Sequence, residues 1–185
     1  MSKKVALLGD SIRLFGYGPI VPQLLGDEIE VFQPEENCKF AKQTLRGLFD
    51  WREQLKDCDV IHWNCGHWDV CDIIGDGVLF STDEEYVENI VRIAKGLKKL
   101  AKKVIFATTT PVKPIYEYNR NSDIERFNSL VKPRLEELNV EINDLYALVS
   151  EDIDGNLCED CIHLSEQGSM VCAQQIAKVI KASII

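Results

Sequence analysis

The stretch "LLGDSIRLFGYG" at residues 7–18 decides how this sequence is interpreted. The apolar run at residues 5–8 has the composition of a buried strand, and it stops abruptly at Gly9-Asp10. Ser11 follows directly. A serine in this position can cap the N-terminus of the next helix. It can also be a nucleophile at the end of a sheet, where the N–H groups of a helix start face a developing oxyanion. The stretch alone leaves both interpretations open.

Along the rest of the chain, short apolar runs alternate with segments of helical periodicity. Strands are predicted at Lys4–Leu8, Glu28–Phe32, Asp59–Asn64, Lys103–Thr108 and Val140–Ile142. Helices are predicted at Pro19–Leu25, Ala41–Leu55, Asp83–Leu100, Asp123–Leu138 and Ser165–Ala182. Strands such as "DVIHWN" are apolar on both faces, which is typical of a parallel sheet covered by helices on either side. The pattern predicts one α/β domain over residues 1–185, a three-layer flavodoxin-like sandwich with a five-stranded parallel sheet.

Composition and charge exclude several classes of partner. The chain has 45% hydrophobic and 28% charged residues, as in an ordinary globular protein. Its net charge of −9 argues against a nucleic-acid or anionic-membrane partner, because both require a basic face. No apolar run approaches the roughly 18 residues of a membrane span, and too few apolar residues precede Gly9 for a signal peptide. We therefore expect a cytoplasmic protein, with the oligomeric state left open.

Seven cysteines are present, an odd number that fits reduced thiols in the cytoplasm. Cys158 and Cys161 form a C-x-x-C pair, which raises the question of zinc. A structural zinc site needs four ligands, usually in two such pairs, and Cys65, His67 and Cys71 lack that spacing. The sequence therefore predicts free thiols, no metal and no cofactor.

Four loops are expected to meet at one edge of the sheet, because ligands of open parallel sheets bind at the carboxyl ends of the strands. Ser11 follows the first strand, "NCGHWD" follows the third, "TTTPVKP" follows the fourth, and "CEDCIHL" precedes the last helix. A serine nucleophile needs a base and a carboxylate that orients the base. Of the three histidines, His62 lies within an apolar strand, and His67 is equally suited to a substrate contact or a structural hydrogen bond. His163 has Asp160 three residues upstream, so one turn can supply both groups.

These residues resemble the SGNH or GDSL hydrolases. Gly9-Asp10-Ser11 matches the first block of that family and Asp160-x-x-His163 matches its last, while "TLRGL", "TTTPV" and "NSDIERFN" look like one bacterial branch of small SGNH esterases. The resemblance covers essentially the whole chain. It implies a serine esterase with Ser11 as nucleophile, His163 as general acid/base, Asp160 as the residue that orients His163, and a small-molecule ester as substrate.

The chain departs from the family at the oxyanion hole. In the family the donors are the backbone N–H of the nucleophile, a glycine N–H of the second block and an asparagine side chain of the third. Here Cys38 stands at the glycine position in "ENCKF", and the third block reads "GHWD" at 66–69, with Trp68 in place of asparagine. We therefore expect the N–H groups of Ser11 and Cys38 to serve as donors, together with the side chain of Asn64 at the end of the third strand.

The substrate is predicted less directly. Arg13 can bind a polar substrate group or form a structural ion pair, His67 can touch substrate, and Trp68 lies in a loop and is expected to form a pocket wall. The resemblance, with little chain length for a lid and no amphipathic membrane segment, implies a short acyl ester, acetyl above all, on a polar alcohol such as a sugar. Two alternatives stay open: a lipid-directed acylhydrolase (a lysophospholipase or thioesterase), and a non-catalytic carbohydrate-binding relative.

Overall fold

A computed structural model describes residues 3–184. Its strands are β1 (Lys3–Leu8), β2 (Ile29–Phe32), β3 (Cys58–Asn64), β4 (Ala101–Ala107) and β5 (Glu141–Asn143). Its α-helices are α1 (Val21–Leu25), α2 (Ala41–Asp50), α3 (Arg52–Leu55), α4 (Asp83–Leu97), α5 (Asn121–Glu136), α6 (Leu145–Ser150), α7 (Ile153–Asn156) and α8 (Glu166–Ser183). A short π-helical segment, Ile12–Tyr17, lies between β1 and α1.

The strands form one parallel sheet in the order β2-β1-β3-β4-β5. This is the strand order of flavodoxin-like folds, so the predicted α/β architecture is confirmed. The order reverses at β1, which pairs with β2 on one side and with β3 on the other. A crevice opens at such a switch point, beyond the carboxyl ends of the strands. The turn that carries Ser11 lies at this point.

Each face of the sheet has its own apolar core. Along β1, Ala6 and Leu8 belong to the core that is covered by α2, α4 and α5. Val5 and Leu7 point the other way, into the core that is covered by α1 and α8. All four side chains are fully buried, which explains why residues 5–8 have no polar face.

Local sequence signals fix the starts of α4 and α8. Thr82 and Glu85 form a capping box at the start of α4, and Ser165 caps α8 by accepting the Gly168 N–H at 3.0 Å. The predicted helix at Ala41–Leu55 is interrupted at Trp51, where α2 ends and α3 begins. The Trp51 indole N–H donates to Glu36 Oε1 at 2.9 Å. This contact to the loop after β2 accompanies the break, and periodicity alone does not reveal it.

The cysteines are free thiols, as predicted; all seven lie in the described part of the chain. Cys158 Sγ donates to the Leu164 carbonyl, and Cys161 Sγ donates to the Glu159 carbonyl. Across residues 3–184, no group of three or more His, Cys, Asp or Glu side chains is placed to hold a metal ion. In the same range no helix has the length and apolarity needed to cross a membrane.

A close approach of α7 to α8 generates a test of the packing. A Cβ on Gly168 would overlap the backbone carbonyl of Asn156, and backbone cannot move aside cheaply. We expect Gly168→Ala to lower the free energy of unfolding by roughly 1–3 kcal/mol, as overpacking does. The control is Gly96→Ala in α4, whose Cβ would meet only the flexible Leu48 side chain at 2.8 Å. Urea denaturation should show little loss for the control, and equal stability of the two variants would contradict this packing.

Candidate active site

Ser11 does not cap a helix. It is the residue before the π-helical segment, yet its hydroxyl makes no capping hydrogen bond. Asp10 takes that part instead, because its Oδ1 accepts the Ile12 N–H at 3.0 Å. The Ser11 hydroxyl is therefore available, and the residue, 9% exposed, lies on the wall of a cavity. The structure therefore excludes the interpretation of Ser11 as a helix cap.

Gly9 permits the tight turn before the serine. A Cβ at this position would overlap the Asn64 side-chain oxygen and would press on Arg13 Cβ at 2.7 Å. No larger residue fits without moving both neighbours. The glycine of the Gly9-Asp10-Ser11 block is thus required by close packing at the end of β1.

Asp160 and His163 form one compact unit in the loop before α8. The Asp160 Oδ1 accepts the His163 backbone N–H at 3.0 Å, and its Oδ2 lies 2.7 Å from the His163 Nδ1. A carboxylate only accepts hydrogen bonds, so Nδ1 carries the ring proton and Nε2 is left as the basic nitrogen. An antiparallel bridge between Leu157 and Leu164 closes this loop. The spacing of three residues therefore pairs the two side chains as predicted.

The surroundings keep the Asp160 carboxylate ionised. Partial burial acts to raise its pKa, but hydrogen bonds from the His163 ring and from the backbone N–H groups of His163 and Ile162 outweigh it, so the pKa lies below its usual value. The Phe15 ring packs edge-on against the His163 imidazole, with ring centres 6.1 Å apart. An ionised partner and a packed ring together orient the imidazole.

Ser11 and His163 lie on the wall of the same cavity, which has a volume of about 480 Å³ and which we call the Ser11 cavity. Most of its walls are aromatic or aliphatic, with a few amide and imidazole groups. The residues that line it are Ser11, Phe15, Asn37, His67, Trp68, Cys71, Ile73, Tyr116, Tyr118, Asn119, Ile162 and His163. Two loops that sequence reasoning expected at one edge, those of Ser11 and His163, therefore meet there, together with His67 and Trp68 from the third block.

His67 is buried and neutral. Its Nδ1 accepts from the Asn119 amide at 3.3 Å, which leaves the proton on Nε2, and Nε2 donates to the Thr110 hydroxyl at 2.9 Å. Burial, with a smaller effect of the nearby His163, lowers the pKa of His67 to about 4 although Asp10 opposes the shift. His67 thus forms part of the cavity wall as a hydrogen-bonded neutral ring. Trp68 is 40% exposed at the rim, where a pocket wall was expected.

Two of the predicted oxyanion donors are committed elsewhere. The Cys38 backbone N–H donates to the Gly9 carbonyl at 3.1 Å, so it cannot face an oxyanion, and that prediction is wrong. The Asn64 amide is buried beneath the turn, where its Nδ2 donates to Asp10 at 2.7 Å and its Oδ1 accepts the Tyr17 hydroxyl at 2.6 Å. The expectation that Asn64 points at the Ser11 hydroxyl is therefore wrong as well. Its amide positions Asp10 instead.

Arg13 is also misassigned by the sequence. Its guanidinium is 2% exposed and donates to the carbonyls of Pro34, Gly9 and Glu36 at 2.8, 3.3 and 2.8 Å. None of the ion pairs within residues 3–184 involves it. Arg13 is therefore a buried clamp between two backbone segments and lies outside the Ser11 cavity.

The sequence analysis missed five residues that line the cavity. Phe15, Tyr116 and Tyr118 supply aromatic surface, and Asn37 and Asn119 supply amides. Their segments follow strand ends or the turn that carries Ser11, and this position was the only available signal. Nothing in their residue types distinguishes them from ordinary loop residues.

Comparisons with solved structures identify proteins with the same fold. The chain superimposes on a lipase/acylhydrolase from Enterococcus faecalis with a TM-score of 0.81, 20% identity, and coverage of 97% of this chain and 96% of that one. The chain has the fold of the SGNH hydrolases. An acetylxylan esterase from Geobacillus stearothermophilus (TM-score 0.79, 20% identity, 95% and 93% covered) has this fold, as does a GDSL-like lipase from Bacteroides thetaiotaomicron (0.76, 16%, 98% and 89%). No family model and no curated protein sequence matches the chain.

The buried His67 generates a pH-dependent stability. With a pKa of about 4 in the fold against 6.5 in the unfolded chain, the unfolded state binds the proton first as pH falls. The free energy of unfolding should therefore drop by about 2 kcal/mol between pH 7 and pH 5 through this ring alone. His67→Gln should remove that part of the drop in urea denaturation. Asp69, whose pKa burial raises to about 6, contributes with the opposite sign but equally in both proteins. An unchanged pH dependence in the variant would contradict the neutral assignment of His67.

Proposed function

We propose that this protein is a serine esterase that hydrolyses short acyl esters, acetyl esters in particular, of a polar alcohol such as a sugar, without a cofactor. One observation carries the proposal. His163, paired with Asp160, lines the same cavity as Ser11, whose hydroxyl makes no capping hydrogen bond. A nucleophile, a base and a group that orients the base are the parts that acyl transfer to serine requires.

In this mechanism the Ser11 Oγ attacks the ester carbonyl carbon while His163 Nε2 takes the hydroxyl proton. The carbonyl π electrons move to oxygen and form a tetrahedral oxyanion. The oxyanion collapses, the bond to the alcohol breaks, and His163 gives its proton to the leaving alkoxide. Water then attacks the acyl-enzyme with His163 as base, and the acid is released. Asp160 stays ionised throughout and stabilises the imidazolium.

The structural neighbours lend support to this assignment. Three structures of the Geobacillus stearothermophilus acetylxylan esterase are described as catalytic mutants, at a serine, a histidine and an aspartate. In that enzyme the aspartate lies three residues before the histidine, the same spacing as Asp160 and His163 here. By analogy, we assign the same three roles to Ser11, His163 and Asp160 in this chain.

The preference for a carbohydrate alcohol is supported by the walls of the Ser11 cavity. Trp68, Tyr116 and Tyr118 present aromatic surface on which a sugar ring can stack. The Asn37 amide N–H groups and the Asn119 amide oxygen are suited to sugar hydroxyls. Two of the neighbours are named acetylxylan esterases, which is in keeping with such a substrate.

A second candidate, an acylhydrolase that acts on amphiphilic esters, is favoured by the rim of the same cavity. Large apolar side chains are exposed there or in the adjoining loops, including Phe15 (70%), Ile73 (52%), Ile74 (80%) and Ile115 (79%). Ten large hydrophobic residues are exposed among residues 3–184, and eight of them fall in the nucleophile turn, the third-block loop or the loop after β4. Exposed apolar side chains around the cavity rim suit the binding of an alkyl chain.

The triad assignment is tested by single and double substitutions. Ser11→Ala should reduce hydrolysis of p-nitrophenyl acetate by several orders of magnitude, and a fluorophosphonate should label Ser11 in the wild type. His163→Ala should lose a comparable amount, and the double variant little more, because triad members act as a unit. Hydrolysis that survives Ser11→Ala would discard the assignment. An unlabelled serine with no turnover of any ester would favour the non-catalytic carbohydrate-binding alternative.

Acyl-chain length separates the two candidates. A site shaped for acetyl forfeits about 0.8 kcal/mol for each further CH₂ that stays unburied, and clashes add to this. For p-nitrophenyl esters, kcat/KM should therefore fall steeply from acetyl to butyryl to octanoyl. If octanoyl is preferred, the acylhydrolase replaces the acetylesterase. In that case, Ile73→Ser and Ile115→Ser should selectively lower kcat/KM for the octanoyl ester, with kcat/KM for the acetyl ester as the internal control.

A further inference from the structure

The proposed mechanism needs hydrogen-bond donors for the oxyanion, and the structure removes two of those expected. The Cys38 N–H is bonded to the Gly9 carbonyl. The Asn64 amide is bonded to Asp10 and Tyr17, is 4% exposed, and is not among the residues that line the Ser11 cavity. Trp68, at the third-block position, has no side-chain amide. Beyond the N–H of Ser11 itself, a donor must come from another group on the cavity wall.

Two side-chain amides lie on that wall, those of Asn37 and Asn119. The Asn119 Nδ2 donates to the His67 carbonyl at 2.9 Å and to the His67 ring at 3.3 Å, which uses both of its protons. The Asn37 Oδ1 accepts the Lys39 N–H at 2.7 Å, so the oxygen end of this amide is turned toward its own loop. Within residues 3–184 the Asn37 Nδ2 donates to no protein group, and both of its protons are available to a ligand.

We propose that Asn37 is a catalytic residue that donates a hydrogen bond from its Nδ2 to the oxyanion, in the role that the third-block asparagine fills elsewhere in the family. This inference rests on the proposed function. In the attack step the Ser11 Oγ–carbon bond forms, the π electrons move to the carbonyl oxygen, and the Ser11 proton passes to His163. The Asn37 N–H then faces the new negative charge, and no proton leaves the amide.

The loop that carries Asn37 is fixed next to the nucleophile. The Cys38 N–H bonds to Gly9, two residues before Ser11, and the Arg13 guanidinium holds the carbonyls of Pro34 and Glu36. A donor that is held in place before the reaction stabilises charge without reorganisation, which is the condition for a large effect on rate.

The backbone conformation at Lys39 fixes the orientation of the Asn37 amide. Lys39 has a φ of 51°, in the left-handed region that side chains other than glycine rarely adopt. The hydrogen bond from its N–H to Asn37 Oδ1 stabilises this turn. The same bond decides which end of the amide remains free for the substrate.

Asn37→Asp is the sharpest test, because it keeps the oxygen that accepts the Lys39 N–H and replaces the donor by a second oxygen. We expect kcat to fall roughly 10²-fold or more, with KM for p-nitrophenyl acetate changed by less than about threefold. Binding of an alkylboronic acid, whose Ser11 adduct carries a tetrahedral negative charge, should weaken by a similar factor. The melting temperature should stay close to that of the wild type.

Two further variants guard the interpretation. Asn139→Asp makes the same change at an exposed residue just before β5, at the opposite edge of the sheet, and should leave kcat and boronate binding unchanged. Asn37→Ser removes the amide without adding charge and should also lower kcat with little change in KM, which keeps the test valid if Asn37→Asp folds poorly.

The outcomes separate the two levels of the proposal. Turnover that depends on Ser11 but is unaffected in both Asn37 variants overturns the role of Asn37 alone. A loss of activity that only follows a fall in melting temperature, with kcat and boronate affinity unchanged for the folded fraction, also overturns it. A wild type with neither Ser11-dependent turnover nor boronate binding overturns the proposed function together with this inference.

Discussion

A buried guanidinium connects the two segments on which the candidate site depends. Arg13 reaches from the turn that carries Ser11 to the carbonyls of Pro34 and Glu36 in the loop after β2, and also to Gly9 in its own turn. A fully buried cation without a carboxylate partner is costly unless its donors are satisfied, and three carbonyl dipoles supply most of that compensation. The planar fork of arginine reaches all three at once, which lysine cannot do. The positions of Ser11 and Asn37 relative to each other follow from this clamp.

The sequence predicted the parts of the molecule that depend on short-range patterns. The alternation of apolar runs with helical segments was enough to predict the parallel sheet, because the central strands β1, β3 and β4 bury apolar side chains on both faces. The pairing of Asp160 with His163 was also predictable, since three residues of one turn bring the two side chains together. Both predictions use only local spacing and the rule that loops after parallel strands share an edge.

The mispredicted residues have a common physical cause. Cys38, Asn64 and Arg13 were assigned from their closeness in sequence to the expected blocks, but each has hydrogen-bond partners far away along the chain. A buried polar group must find such partners, and which one it finds depends on packing between segments that the sequence does not reveal. The break at Trp51 has the same origin, because its indole bonds to Glu36 in a different loop.

The loop that is closed by the bridge between Leu157 and Leu164 fixes the pairing of His163 with Asp160, but it does not by itself fix the distance from His163 to Ser11. Inside it, the imidazole and its carboxylate are paired within four consecutive residues, and the Cys158 N–H bonds back to the His163 carbonyl at 2.8 Å. Outside it, contacts with other segments decide how far the ring stands from Ser11: the Lys113 N–H donates to the Cys161 carbonyl at 2.9 Å, and the Phe15 ring packs against His163. An insertion on either side of the loop would thus alter reach without altering pairing. The His163 ring and the Asp160 carboxylate are therefore positioned together, as one unit.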